Sequence, residues 1–542
     1  MPFQVLRLLG IALLGACLLS SQAIAQETDD VQPDPPAVAE SAAEVAEGTA
    51  DWMQQVDGFF GEWIVGPMYS FLFYDLGQYV GSEQTVPAVV AWLAIGAIFL
   101  TIRMGFINLR AFVHAIRVTK GDYDDDDDTG EVTHFQALSS ALSATVGLGN
   151  IGSVAVAVGL GGPGAIFWMV MCGLFGMSSK FTECTLGQMY RRVDEDGHVS
   201  GGPMRYLREG LADMRLGWLG GPLAALFAVL CIGASFGGGC AFQVSQSRLA
   251  VNEALIGGMG FTPDALADTR WIYGLVMAAL VGVVIIGGIR RIAATAEKIV
   301  PLMCVVYVIT AVVILAMNYD KIGEAIGQIL SLAWAKESVF GGAIGAAMMG
   351  IQRAAFSNEA GIGSAAIAHS AAKTKYPIRE GIVALLEPFI DTVVICTMTG
   401  LVIVITGVCT DPANAAAVEG KEGATLTSLA FSSAVPWFKY VLAVAVLLFA
   451  YSTMISWSYY GERCANYLFG AGASLPYRLL FLAAVFFGAV IDASNVLDFS
   501  DLMILAMAVP NLIGLYLMSG KVKLKLDDYW QAYKLGDFEK TA

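Results

Sequence analysis

The chain has 542 residues, is 56% hydrophobic and only 14% charged, and carries 60 glycines. A water-soluble domain of that size needs more charged surface, and the net charge of −16 excludes a partner held through nucleic-acid phosphates. Apolar runs of about 20 residues recur along the whole length, each long enough to cross a hydrocarbon layer of roughly 30 Å, so composition alone defines an all-α integral membrane protein.

In chain order, residues 1–25 read as a signal peptide. Arg7 precedes the short apolar stretch Leu8 to Leu19, and Ala23-Ile24-Ala25 offers a small-x-small cleavage pattern. A lipoprotein signal ending in Leu14-Gly15-Ala16-Cys17 is the competing reading, but the cleavage pattern downstream of it is the cleaner one. Residues 26–50, rich in Glu, Asp, Ala and Pro, have the composition of a disordered acidic tether. Residues 51–86 are aromatic-rich and interrupted, which suits a helical segment lying at the membrane interface. A transmembrane domain then occupies 87–520, and 521–542 form a tail predicted to be cytoplasmic.

Hydropathy predicts about eleven spans in that domain: 87–104, 135–158, 163–184, 220–247, 272–288, 298–317, 338–358, 380–408, 436–460, 476–492 and 500–519. A cleaved signal peptide places the mature N-terminus outside, which the basic residues test independently. Arg103, Arg110, Arg117 and Lys120 follow the first span, Arg191, Arg192, Arg205 and Arg208 the third, and Arg290 and Arg291 the fifth. Lys373, Lys375 and Arg379 follow the seventh, Arg463 and Arg478 the ninth, and Lys521, Lys523 and Lys525 the last. The opposite loops hold only Arg248, Arg270, Lys321, Lys336, Lys421 and Lys439. Positive charge concentrates inside, so both signals predict N-out and C-in. The acidic run Asp124 to Asp128 then belongs to the first cytoplasmic loop and reads as solvated. The nine cysteines show no CxxC spacing, and those in apolar segments read as small hydrophobes.

Two spans do not read as ordinary helices. The second contains Ala144-Thr145-Val146-Gly147-Leu148-Gly149-Asn150-Ile151-Gly152, and the seventh contains Gly341, Gly342, Gly345 and Gly350 followed by Ser357-Asn358-Glu359-Ala360-Gly361. Each glycine costs about 1 kcal/mol in a helix relative to alanine. In lipid, freed backbone groups are tolerated only where they line a cavity or ligand, the plain alternative being glycine faces for close packing. The second span runs outward and the seventh inward, each opening a five-helix unit, about 135–317 and 338–519. Matching interruptions in inverted repeats point to a carrier's binding site between these spans. Half-helix N–H groups near Gly149 and Asn150 suit a carboxylate, and unwound carbonyls suit a hard cation.

Other intramembrane polar residues add to the site. Thr453 and Trp457 stand four apart on one face of the ninth span, next to Ser452, and a hydroxyl beside a large ring suits a small polar ligand. Gln243 lies deep in the fourth span, and mundane interhelical bonding competes for all of these. Asp391 is the clearest intramembrane ion, a candidate for cation or proton coupling. Glu183 and Glu359, nearer the cytoplasmic ends, fit gating or solvated roles equally.

Ala144–Gly152, Gly161–Trp168, Gly176–Tyr190, Val193–Gly197 with Ser200–Met204, Phe356–Ser364, Phe389–Thr397 and Tyr451–Glu462 together resemble the alanine/glycine:cation symporters, over roughly residues 50–520. The resemblance implies a LeuT-like 5+5 inverted repeat with one additional N-terminal helix, and uptake of alanine or glycine coupled to sodium, in some cases to protons. Carried over by position, it implies substrate contacts at Gly147, Gly149, Asn150, Gln243, Thr453 and Trp457. It also implies sodium contacts at Ala144 and Gly147, with Ser452 or Thr453 as partner, and leaves Asp391 and Glu359 for coupling or gating. Leu148, Gly152 and Ile362 depart from the Thr, Ala and Met expected there. A channel fits inverted broken helices less well than a carrier does. An enzyme lacks its motifs, with neither HExxH nor GxSxG present and the four histidines scattered in sequence.

Overall fold

The computed structural model describes residues 55–538 apart from 67–68, 70–72, 78–84, 126–127, 194–198, 260–268, 287 and 336–341. The signal peptide and acidic tether assigned to 1–50 lie outside the described residues. Among those described, the chain is almost wholly helical, with one two-stranded ribbon, β1 (Arg192–Val193) and β2 (Val199–Ser200).

The helices that build the site are, in order, α1 (Ala88–Arg103), α2 (Phe112–Thr119), α3 (His134–Thr145), α4 (Val154–Gly161) and α5 (Gly164–Met189). There follow α6 (Gly217–Phe236), α7 (Phe242–Met259), α8 (Arg270–Ile285), α9 (Gly288–Met317) and α10 (Tyr319–Leu332). After these come α11 (Gly342–Asn358), α12 (Ala365–His369), α13 (Pro377–Ala384) and α14 (Thr397–Thr406). The chain ends with α15 (Gly423–Ala434), α16 (Phe438–Phe469), α17 (Ser474–Val490) and α18 (Ala493–Leu535).

Seven helices among the described residues are long and apolar enough to cross a membrane, and α3 with α4, bent by 53°, makes up to eight. Each of the other predicted spans falls on a shorter helix. These are α1 and α8 with 16 residues and α11 with 17, about 25 Å each at 1.5 Å per residue. Outward faces are apolar, with Ile95, Ile102, Leu275, Val283, Val305 and Ile309 all exposed, as a lipid-facing surface requires.

Local chemistry sets the element ends. Thr133 and Gln136 form a reciprocal capping box at the start of α3, bonding at 3.2 and 3.1 Å, which fixes where the first interrupted span begins. Gly350 shows the packing use of glycine: a Cβ there would stand 2.4 Å from the Ala165 carbonyl, so only glycine lets α11 lie this close to α5. The plain packing reading therefore holds for part of the second glycine cluster.

The loops at one end are knitted more tightly than a solvated reading of them suggests. Arg191 donates to the carbonyls of Thr129, Ser370, Ala372 and Thr374, using the fork of its guanidinium to hold two chain segments. Lys375 pairs with Asp125 at 2.7 Å and with buried Asp128 at 3.4 Å, so the described part of the acidic run is clamped and not simply dissolved in water. The last helix continues beyond the predicted span, and Tyr529 meets His114 of α2 at 2.7 Å. Burial, with Arg379 and Arg117 nearby, holds His114 down to about 4, so its ring is neutral in that contact at physiological pH.

Candidate functional site

The first interrupted span breaks after Thr145. Val146 leaves the helical region at ψ 84°, and the chain recovers through a π turn, Gly149–Ser153, before α4 begins. Two other π turns face the same region, Gly237–Ala241 between α6 and α7, and Phe389–Cys396 ahead of α14. Such turns free backbone groups from the regular ladder and concentrate at functional sites.

The freed groups at the first break are met by side chains. Gly147 N–H donates to Asn150 Oδ1 at 2.9 Å, and Leu148 N–H donates to Gln243 Oε1 at 3.1 Å. Gln243 is itself oriented by donating to the Gly238 carbonyl at 2.9 Å. The N–H groups facing acceptors from other side chains are thus those of Gly147 and Leu148, two residues earlier than the expected Gly149 and Asn150. Asn150 N–H reaches back only to the Gly147 carbonyl at 3.2 Å.

Asn150 also joins the break to Asp391. Its Nδ2 donates to Asp391 Oδ1 at 2.6 Å and to the Asp391 carbonyl at 3.0 Å. Asp391 Oδ2 accepts from Ser357 Oγ at 2.9 Å and from Thr392 Oγ1 at 2.7 Å. Ser357 lies on the second interrupted span, and a Cβ on Gly149 would come within 3.2 Å of its Cα. The two interrupted spans therefore meet at Gly149 and Ser357, with a fully buried carboxylate beside them.

The second break runs from Glu359 to Gly363. Gly361 and Gly363 adopt φ of 83° and 96°, which glycine alone takes without strain. Glu359, at φ 56°, is held there by Trp457 Nε1, which donates to its Oε1 at 3.1 Å, and by a short hydrogen bond from Ser364. Asn511 donates to the freed Gly361 carbonyl at 2.8 Å and to Glu183 at 3.1 Å. Both Glu183 and Glu359 are buried, at 0% and 2% exposure, so the solvated reading of either falls.

Helix α16 closes the remaining side. A Cβ on Gly147 would stand 2.4 Å from Thr453 Oγ1, and one on Gly239 would stand 2.5 Å from the Trp457 Cβ. Ser452 takes part through its backbone carbonyl, which accepts from Ser143 at 2.9 Å, while its hydroxyl turns to the Phe449 carbonyl and Met303. Ala144 is buried in the last turn of α3, next to that contact. The Thr453 hydroxyl is buried with no hydrogen-bond partner, as are those of Ser456 and Tyr460. Their spacing of three and seven residues sets all three on one helical face with Trp457. Sequence reading found Thr453 and Trp457 and missed Ser456 and Tyr460, although the same periodicity was available to extend the face.

A second polar group, wholly charged, was also missed. His134 and His369 both contact Glu380, His369 also contacts Glu387, and Lys180 Nζ stands 3.1 Å from Glu387 and 3.9 Å from Glu183. Two of the histidines that looked scattered are therefore joined through one carboxylate.

Buried neutral polar groups gathered where two interrupted membrane helices cross define a membrane carrier of small solutes. The chain belongs to the sodium:alanine symporter family, which it matches over residues 75–541. Among its relatives, the sodium/alanine symporter AgcS of Methanococcus maripaludis is 41% identical, over 83% of this chain and 96% of its own. The probable sodium/glutamine symporter GlnT of Bacillus subtilis is 36% identical, over 83% and 88%. Among solved structures, MhsT in complex with L-phenylalanine covers 72% of this chain and 98% of its own at 12% identity, with a TM-score of 0.46. The family and these relatives are transporters and not enzymes.

Proposed function

We propose that this symporter couples inward movement of sodium to uptake of a small neutral amino acid, alanine or glycine, across the inner membrane. The observation that carries the reading is the arrangement at the first break. Two side-chain amide oxygens, from Asn150 and Gln243, occupy the Gly147 and Leu148 N–H groups, opposite an unpartnered Thr453 hydroxyl. Those oxygens hold the positions that the carboxylate oxygens of an amino acid would take, at the positive end of the half-helix that follows. A buried hydroxyl without a partner costs about 1–3 kcal/mol, and a bound ligand would supply the missing bond. The near contact of Gly147 with Thr453, and of Gly239 with Trp457, walls this place closely, which favours a small solute over a bulky one.

Sodium would take backbone oxygens near Ala144 and Gly147 with a hydroxyl from Ser452 or Thr453. Thr453 is the better candidate of the two, since the Ser452 hydroxyl is already engaged. Glu359, latched to Trp457, serves as the gating residue at the second break. Eleven crossings in a LeuT-like 5+5 inverted repeat after one additional helix, N-out and C-in, fit the helix order and the distribution of basic residues. The organisation that goes with it is a signal peptide at 1–25, a tether at 26–50, an interfacial segment at 51–86, and a cytoplasmic tail from 521.

Proton coupling is the second reading, and Asp391 favours it. Its direct hydrogen bonds among the described residues come from neutral donors, Asn150, Ser357 and Thr392, so no fixed cation holds it ionised. Calorimetric titration of purified protein with L-alanine, in sodium and in potassium, tests the pair. Heat of binding in sodium alone supports the sodium reading, and equal binding in both salts transfers coupling to Asp391. No binding of alanine or glycine in either overturns the solute assignment.

A further inference from the structure

The charged group around His369 has a feature that proton counting exposes. His369 Nδ1 faces Glu380 Oε1 at 2.5 Å, and its Nε2 faces Glu387 Oε1 in a shorter contact. A hydrogen bond between a ring nitrogen and a carboxylate oxygen needs a proton between them, because without one two lone pairs would meet. Each of the two contacts therefore holds a proton. A neutral imidazole supplies one, so the triad carries one more proton than a neutral histidine between two carboxylates, whichever of the three groups binds it.

We propose that His369, Glu380 and Glu387 form a proton-binding site, separate from the solute site, whose occupancy holds shut the end of the carrier to which the interrupted spans lead. The connections fix what the proton controls. His369 ends α12, the short helix beyond the second break, and His134 begins α3, the half-helix before the first break. Both histidines contact Glu380, which starts the following span, so one carboxylate ties the ends of both interrupted spans together. When the extra proton leaves, one of the two His369 contacts becomes repulsive and the ring must part from a carboxylate. The end of α12 is then free to shift against α13 and the carboxylate that His134 also holds, and the path behind the solute site opens.

The surrounding charges keep the site a proton site. Lys180 and Glu183 of α5 stand behind Glu387, Arg379 neighbours Glu380 on α13, and Arg191 crosses the adjoining loops. Cys184 of α5, Tyr460 of α16, Glu359 at the second break and Asp124 near His134 are the other titratable groups nearby. A metal ion is the competing occupant, since ligand atoms of Cys184, His369 and Glu387 lie within 4.8 Å of one another. Both ring nitrogens are already engaged by carboxylates, however, and the Lys180 ammonium 3.1 Å from Glu387 repels a cation.

The site can be made to need one proton fewer without changing its shape. In Glu387→Gln the amide donates to His369 and still accepts from Lys180. In Glu380→Gln the amide donates to His369 and accepts from His134. Hydrogen exchange of residues 365–387 in the full purified chain, corrected for intrinsic rates, is compared between about pH 6 and about pH 9. In the wild type, protection is expected to fall by about tenfold per pH unit once the proton leaves, and in either glutamine variant to stay level. Sodium-driven uptake, which rests on the proposed transport reading, should follow pH in the wild type and lose that dependence in the variants. Protection that is level in the wild type, or that falls equally in the variants, overturns the proposal. Failure of uptake in every protein would contradict the solute assignment, and the exchange comparison would still decide the proton site.

Discussion

Two buried polar regions lie close together in this molecule and are built on opposite terms. Around Gly147, Asn150 and Thr453 the groups are almost all neutral, three hydroxyls on α16 have no partner, and backbone N–H groups are held by side-chain amides that could exchange for a ligand. Around His369 and Lys180 the groups are charged, each met by an opposite charge from another helix. The first region keeps neutral hydroxyls unused, whereas the second sets charge against charge, with Lys180 Nζ, Glu183 Oε1 and Glu387 Oε2 held by ion pairing and not by hydrogen bonds. In a medium without water that difference separates a place that waits for a solute from one that holds helices in position.

The largest expected effect breaks the charged region. Lys180→Met removes the cation between Glu387 and Glu183 and leaves buried carboxylates uncompensated, at a cost of about 3–5 kcal/mol. The unfolding temperature in detergent should drop sharply and the folded yield with it, while an unchanged transition would show that the pair carries no structural weight. Asn150→Ala acts on the neutral region, removing the acceptor for Gly147 N–H and a donor to Asp391. Hydrogen bonds to charged groups are worth about 1.5–3 kcal/mol, so uptake should fall by roughly 10-fold to 150-fold, with a smaller loss of thermal stability than in Lys180→Met. Thr453→Val is the gentlest test, because no protein partner is lost. Stability should hold, and the concentration for half-maximal uptake should rise by about tenfold. Equal uptake by this variant would remove Thr453 from the site.

How much of this was legible in the sequence follows the same division. The breaks announced themselves, since glycines at 147, 149 and 152 beside an asparagine are expensive in a helix, and Thr453 and Trp457 shared a face by simple spacing. Gln243 stood out as a polar residue in an apolar run, and its bond to Leu148 N–H crosses 95 residues. The charged region could not be read in the same way. His134 and His369 lie far apart in the chain, and residues near span ends look alike whether they meet water or one another. Lys180 and Glu183, three apart near the end of a predicted span, gave no sign that Lys180 would meet Glu387, which stands 3.1 Å from it in space but far from it in the chain. The bound N–H groups also stand two residues earlier than expected, because the chain leaves the helical region already at Val146.

The most direct test of the central claim is uptake of radiolabelled L-alanine into proteoliposomes under an imposed sodium gradient, with a matched potassium gradient as control. The account predicts accumulation beyond equilibrium with sodium only, and its loss in Asn150→Ala. Accumulation of neither alanine nor glycine, under a sodium or a proton gradient, would contradict it.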